Sequence, residues 1–351
     1  MTIIKSDKID ISYKYLSLLK IKLRKKEFKM KKELSYLETI KQIAEIKRHF
    51  ESQLETRLGL TKVQSPIFIK TSTGLQDQLS GVEKAVKFKK GEEDFEIVHS
   101  LAKWKREALG KYSFPMHTGL YTDMKAIRKD ETVDDIHSLY VEQWDWEKVI
   151  DKRDRTIDYL KDTVRAIYKA IRQTSIFMKQ KYHYLTLELP KTITFITSQE
   201  LEDMYPDKKP EEREQLIVKE KKAVFIIGIG DELKSGIKHD KRSPDYDDWS
   251  LDGDLLIYAK PLSKAIEISS MGIRVDEKSL KYQLEKSKCM DRIDLPYHQK
   301  ILKKQMPYTI GGGIGLSRIL MLVLEKEHIA EVQASSWEEK TYKELKDKKI
   351  L

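Results

Sequence analysis

The sequence predicts an α+β domain built around a mainly antiparallel sheet flanked by helices. Strand-like segments come in runs, the long helix-period segments lie between those runs, and no internal repeat or low-complexity linker divides residues 36–351. A doubly wound parallel sheet would need regular strand–helix alternation, which is missing.

The elements follow in order. Leu37 to Leu58, LETIKQIAEIKRHFESQLETRL, carries apolar residues at helical spacing, and Gly59 stops the helix. KVQSPIFIK reads as a strand interrupted at Pro66, which belongs at a sheet edge or bulge because it lacks an N–H. Further strands are read in DFEIVHSLA, GLYTDMKAIR, IHSLYVEQWDW, TITFIT, AVFIIGIG, DLLIYA and AIEISSMGIRV. Helices are read over 152–182, 198–205, 210–221, 276–287, 294–304 and 315–325.

Composition narrows the class. With 351 residues and 40% hydrophobic content the chain can bury a sizeable core. No apolar run approaches the roughly 20 residues of a membrane span, and the N-terminus lacks the apolar core of a signal peptide. The single cysteine, Cys289, excludes an intramolecular disulfide and a Cys-cluster zinc site, and a reducing cytoplasm is its simplest home. The formal charge is +10, but residues 1–35 hold eleven Lys/Arg against four Asp/Glu, which leaves the remainder near neutral. That basic N-terminal extension reads as disordered or as a weak amphipathic helix, a targeting element or a nucleic-acid arm. Met30 offers an alternative start.

One stretch raises a specific question. PYTIGGGIGLSRIL places Gly311, Gly312, Gly313 and Gly315 just ahead of Arg318. Such a run serves a flexible turn before a helix, or a phosphate site in which bare backbone and a helix N-terminus starting near Gly315 approach an anion beside an arginine. It is neither a Walker loop, since no Gly-Lys-Ser/Thr follows, nor a dinucleotide fingerprint, since no buried strand is read ahead of it.

Four other constellations bear on chemistry. GLQDQLSG sets Asp77 in a Gly-flanked loop, where it serves the turn or meets a substrate amine. HSLAKWKREALG carries Ser100, Lys103, Lys105 and Arg106, basic residues that at this spacing are mostly solvated. GLYTDMKAIR and IHSLYVEQWDWEKVI form a hairpin with Arg128 at the end of the first strand. Gln143, Asp145 and Glu147 alternate on one face of the second, either as its solvent side or as the floor for a zwitterionic ligand. Finally, Asp245, Asp247, Asp248, Asp252 and Asp254 crowd ten residues, so they are exposed or met by cations. A hairpin about Lys260–Ser263 would bring Asp254 opposite Glu267 or one diagonal away, and two such carboxylates suit Mg²⁺ carried on a nucleotide.

These residues carry a resemblance. The Arg128 hairpin, the acidic strand reaching Glu267, and GGGIGLSR with Arg318 resemble motifs 2 and 3 of the class II aminoacyl-tRNA synthetase core, and the passage ending at Pro66 resembles motif 1. QDQLSG, VHSLAKWKR, GLYTDMKAIR, YVEQWDWE, PDYDDWS, EISSMGIRV and TIGGGIGLSR narrow the resemblance to the ammonia-dependent asparagine synthetase (aspartate–ammonia ligase) family, over about residues 36–335.

That resemblance implies a class II synthetase-like sheet, a homodimer joined through the motif 1 region, and one catalytic domain over 36–351. It implies ATP-dependent amidation of L-aspartate by ammonia through a β-aspartyl-adenylate, releasing AMP and pyrophosphate. Arg128 would clamp the α-phosphate and activated carboxylate, and Arg318 would meet phosphate or carboxylate charge. Asp254 and Glu267 would hold Mg²⁺-bound ATP, with Ser270, Gly313 and Gly315 completing the nucleotide site. Asp77, Gln143 and Asp145 would surround the substrate α-amino group, Ser100 and Lys105 its α-carboxylate, and Asp247 would hold or deprotonate the incoming ammonium. The sequence departs from the family pattern between PDYDDWS and the following turn, which is short here and carries Asp252 where the family has asparagine.

Two other readings compete. An aspartyl- or asparaginyl-tRNA synthetase needs a nucleic-acid-binding domain, and the segment before residue 37 is too short for an OB barrel, so no tRNA partner is expected. A catalytically inactive synthetase-like regulator would have lost charged motif residues, yet Arg128, Glu267 and Arg318 all stand. Glutamine is disfavoured as nitrogen donor because Cys289 has no Cys–His context and the chain begins Met-Thr.

Overall fold

The computed structural model describes residues 35–79 and 83–351. The basic N-terminal extension up to residue 34, with the Met30 start, lies outside the described residues.

Helix α1 (Tyr36–Leu58) begins at a capping box, in which Ser35 accepts from the Glu38 N–H while the Glu38 carboxylate accepts from the Ser35 N–H. It ends at Gly59, whose φ of 69° suits a residue without Cβ. Strand β1 (Leu60–Lys62) follows at once. The expected single strand across Pro66 is instead two, because β2 (Phe68–Lys70) leaves for a separate small sheet with β3 (Lys87–Lys90) and β4 (Glu93–Ile97), in the order β2-β4-β3. The segment after β4 also differs from expectation: the strand stops at Ile97 and Ala102–Lys111 form helix α2, with Lys103, Lys105 and Arg106 buried rather than solvated.

Then come β5 (Gly119–Ile127), β6 (Tyr140–Val149), α3 (Ile157–Lys181), β7 (Thr194–Thr197), α4 (Ser198–Met204), α5 (Pro210–Lys221) and β8 (Ala223–Ile227). The chain closes with β9 (Asp247–Ala259), β10 (Lys264–Arg274), α6 (Glu277–Lys286), α7 (Pro296–Leu302), β11 (Thr309–Gly315), α8 (Leu316–Leu324) and α9 (Glu339–Glu344).

Eight strands form the main sheet in the order β1-β5-β6-β11-β10-β9-β8-β7. Its six central strands pair antiparallel, but β1 runs parallel to β5 and β7 parallel to β8, so the sheet is mixed rather than mainly antiparallel throughout. The cause lies in the connections: parallel neighbours need a long crossover, and here the small sheet with α2, and then α4 with α5, supply it. One face of the sheet, with Trp144, Trp146, Met271, Ile310 and Ile314, packs in a common core with residues of α1, α3 and α8. The opposite face, walled by α2, α6 and α7, is left for chemistry. No described helix is long and apolar enough to cross a membrane.

Candidate active site

The site floor explains the glycine run. TIGGGIG is not a loop but the central strand β11, paired with β6 on one side and β10 on the other. In this register Gly311, Gly313 and Gly315 lie opposite Glu147, Asp145 and Gln143, and Gly311 and Gly313 lie opposite Gly272 and Ser270. A Cβ on Gly311 would run into the Glu147 carboxylate and come within 2.7 Å of Arg274 Nη2, and one on Gly313 would run into the Gln143 amide. Bare backbone is thus needed so that side chains from the flanking strands cross over β11.

What crosses is a charged lattice. Arg274 donates to Glu147 through Nε at 2.9 Å and Nη2 at 2.7 Å, while its Nη1 bonds Asp247. Thr309 Oγ1 donates to Glu147 at 2.7 Å. Burial opposes the charge on Glu147, yet Arg274 holds this carboxyl below its usual range. Asp247 goes the other way: burial pushes its carboxyl up despite Arg274 and Arg242. The polar row on β6 is therefore no solvent face, since Asp145 and Glu147 are buried.

Lys105 enters from α2, bonds Asp145 and donates to the Gly312 carbonyl at 3.0 Å. Burial pushes its ammonium pKa down, with Asp145 pulling the other way. Asp77 is held in its loop by Ser100 Oγ at 2.6 Å and the Leu79 N–H at 2.8 Å. Residues of both pairs line one cavity of about 240 Å³, together with Gln143, Ser270, Gly313 and Gly315. Arg128, just past β5, also lines it and reaches the carbonyl of His99, next to Ser100, at 3.4 Å. Arg318, in the first turn of α8 behind the Gly315 N-cap, donates to the Glu267 carbonyl at 2.9 Å and stands 3.7 Å from the Glu267 carboxylate.

The crowded aspartates are buried and mostly met by cations: Asp245 by Lys103, Asp247 by Arg274, Asp248 by Arg155 and Asp254 by Arg242. Asp254 lies opposite Ser270, one diagonal from Glu267, whose partner is Leu256. Unlike the other residues that the resemblance assigns to substrate or nucleotide, Asp254 does not line the cavity, and Arg242 is bonded to it. Asp252 accepts from the Ile229 N–H at 2.9 Å through one oxygen, and its other oxygen has no protein partner. Burial pushes its carboxyl well above the usual range, which favours the protonated form.

Among the described residues no three His, Cys, Asp or Glu side chains converge as metal ligands. Mg²⁺ delivered on a nucleotide needs only one or two carboxylates besides phosphate oxygens. Glu267, with 43% of its side chain exposed, fits that need, whereas Asp254 is already engaged by Arg242.

Sequence reasoning missed Arg242 and Arg274 as site residues. Arg274 was within reach, because Ser270, Gly272 and Arg274 alternate along β10 onto the same face. Arg242 sits outside any strand and carried no periodic signal.

With this geometry in place, the comparisons with known proteins are specific. Residues 37–349 match the family described as aspartate-ammonia ligase. An aspartate–ammonia ligase of Clostridium perfringens is 56% identical over 309 residues, covering 87% of this chain and 92% of the relative. One from Lactobacillus johnsonii is 54% identical with the same coverages, and one from Clostridium tetani is 52% identical over 92% of this chain and 95% of its own length. Among solved structures, an asparaginyl-tRNA synthetase from Entamoeba histolytica in complex with asparaginyl-adenylate aligns with a TM-score of 0.62 at 16% identity, covering 85% of this chain and 66% of that one. The Pyrococcus horikoshii asparaginyl-tRNA synthetase complexed with asparaginyl-adenylate gives 0.61 at 15% identity, covering 83% and 66%. At such identity the likeness is one of fold.

Proposed function

The chain belongs to the aspartate–ammonia ligase family, and from that premise we propose that its cavity makes L-asparagine from L-aspartate, ammonia and ATP through a β-aspartyl-adenylate. The observation that carries the reading is the cavity's charge order. Matched acid–donor pairs, Asp77 with Ser100 and Asp145 with Lys105, share the cavity with two arginines, Arg128 next to the Ser100 segment and Arg318 next to Glu267. A zwitterion fits the first set by offering its ammonium to Asp77, Asp145 and Gln143 and its α-carboxylate to Ser100 and Lys105. Its β-carboxylate then points toward the arginines and the nucleotide.

In the first step a β-carboxylate oxygen bonds to the α-phosphorus of ATP as the bond to pyrophosphate breaks. Arg128 neutralises charge gathering on the α-phosphate and the carboxylate, and Arg318 does so on the phosphates. Ser270, Gly313 and Gly315 give the nucleotide a thin floor. Mg²⁺, when bound with ATP, would be held by Glu267, joined by Asp254 if Arg242 withdraws, and would supply charge neutralisation to the departing pyrophosphate. In the second step the ammonia lone pair bonds to the activated carbonyl carbon, and the C–O bond to AMP breaks. One proton leaves the nitrogen of ammonia, or two if ammonium is the form captured, and Asp247 is the carboxyl assigned to receive it. Burial has raised this group toward the range in which a carboxylate accepts protons more readily. A homodimer formed through α1 and β1, and a cytoplasmic location, belong to the same reading.

The test is to supply ATP, Mg²⁺ and aspartate without tRNA and to compare ammonium with glutamine. Stoichiometric AMP and asparagine from ammonium alone supports the assignment. Pyrophosphate exchange without asparagine would mean that the adenylate passes to another acceptor, with tRNA the next to try.

A further inference from the structure

Behind the cavity wall lies a buried charged cluster that the reaction described above does not use. Asp245 is fully buried. One of its carboxylate oxygens accepts from Ser243 Oγ at 2.8 Å, and the other accepts from Lys103 Nζ at 2.7 Å and from His298 Nε2 at 2.9 Å. The ionised carboxylate can only accept, so the His298 ring hydrogen on this side sits on Nε2. Burial opposes the Asp245 charge, but Lys103 and His298 hold the carboxyl far below its usual range.

The connections of this cluster run to the site. Lys103 gives a second hydrogen bond to the Gln76 carbonyl at 3.0 Å, the peptide that leads into Asp77. The Gln76 side chain accepts from the His99 N–H at 3.0 Å, which ties the Asp77 loop to the segment between β4 and α2 that carries Ser100. On the other side Asp245 lies two residues before Asp247, and the intervening Tyr246 carbonyl accepts from the Val275 N–H at 2.8 Å, next to Arg274. His298 anchors the hub to α7. One carboxylate thus joins three stretches of chain distant in sequence.

A buried ion pair is a poor device for stability alone, because desolvation offsets most of the attraction and an apolar replacement often serves as well. Its distinctive product is a fixed geometry. We propose that Asp245 is a positioning residue for aspartate recognition, acting through Lys103 on the Asp77 loop and through its own backbone on Asp247. The inference rests on the functional reading above, because it takes Asp77 and Asp247 to face the substrate α-amino group and the incoming ammonium.

The experiment compares wild type, Asp245→Asn and the paired variant Lys103→Met/Asp245→Leu by thermal unfolding, by calorimetric binding of aspartate and of ATP measured separately, and by KM for each. Asp245→Asn should weaken aspartate binding and raise its KM about tenfold or more while changing ATP by less than about threefold, the scale on which small misplacements act. The paired variant removes the acid together with its buried lysine, and leaves Arg292, which stands 3.6 Å from Asp245 and keeps 12% of its side chain exposed, to turn to solvent. It should melt near wild type yet keep the aspartate defect, and it carries the test if Asp245→Asn does not fold. Equal losses for ATP and aspartate, or recovery of aspartate binding in the paired variant, would reduce the cluster to fold support and overturn the proposal. A wild-type protein that binds both ligands but makes no asparagine would sink the functional reading, while the binding comparison would still decide the role of Asp245.

Discussion

Arg274 on β10 grips both oxygens of Glu147 on β6 across an intervening strand, with Gly311 of β11 beneath the contact. Two strand spacings, about 10 Å, separate the two backbones. The pair is buried and bidentate, so it depends on the absence of a side chain at 311. Gly311→Ala should therefore cost about 3–5 kcal/mol, the scale for breaking a buried pair. Gly315→Ala, whose added Cβ would meet nothing closer than 3.4 Å, should cost under about 1 kcal/mol. Urea unfolding of both variants checks this, and similar midpoints would refute the crossing as the reason for the glycines.

Arg128 and Arg318 approach the cavity with little structural duty, since their hydrogen bonds run to the carbonyls of His99 and Glu267. Replacing either by alanine should lower kcat/KM for ATP and aspartate by about 10²- to 10³-fold, the usual effect of removing a donor aimed at developing charge. Melting temperatures should move by only a few degrees, because a single hydrogen bond to a carbonyl contributes about 1 kcal/mol. Near-normal rates in both variants would remove these arginines from the chemistry.

The legible part of the fold was the part governed by periodicity. Ile46, Phe50, Leu54 and Leu58 recur every four residues and are the buried stripe of α1, while Trp144 and Trp146 alternate with Asp145 and Glu147 on β6. Strand β11 was hidden because glycine carries no pattern of its own, and its place is set by side chains from β6 and β10 passing over it. Helix α2 was hidden for the opposite reason. Its lysines and arginine mimic a solvated surface, and only the acids and carbonyls contributed by β6, by the Asp245 segment and by residues 275, 307 and 312 explain their burial. The parallel edges of the sheet depend on long crossovers, which local sequence does not encode. Candidate site residues were found where a charge sat at an anomalous position, and missed where, as with Arg242, the residue lies outside any strand and meets its partner only once the chain folds back on it.

Asp252 yields a pH prediction. Buried with one oxygen unpartnered, its carboxyl is pushed well up in the folded chain, whereas the unfolded chain releases its proton above about pH 4. The stabilisation tied to that proton is complete below the unfolded value and is lost as pH rises toward the folded one, by at most about 1.4 kcal/mol per pH unit. Asp252→Asn keeps the acceptor for the Ile229 N–H and has no proton to lose. The variant should gain stability over wild type between pH 5 and pH 8 in urea titrations. A constant difference across that range would mean that Asp252 is ionised in the fold.

Arg242 presents the last case. Its guanidinium is bonded to Asp254 and stands 3.9 Å from Asp240, next to the acidic pair formed by Asp254 and Glu267. Burial pushes the Asp254 carboxyl up in spite of this arginine, and repulsion from Glu267 adds to the shift. An arginine in that position does for the empty pair what a divalent cation would do for it when ATP arrives. Arg242→Met should therefore leave Asp254 without its counter-charge beside Glu267, which keeps Arg318 at 3.7 Å, and free Mn²⁺ should bind the nucleotide-free protein roughly tenfold more tightly than it binds wild type, about 1.4 kcal/mol. Electron paramagnetic resonance of Mn²⁺ measures this without turnover. Unchanged or weaker Mn²⁺ binding would show that Asp254 answers the loss of Arg242 by taking up a proton instead, and would leave Glu267 as the sole carboxylate for the metal.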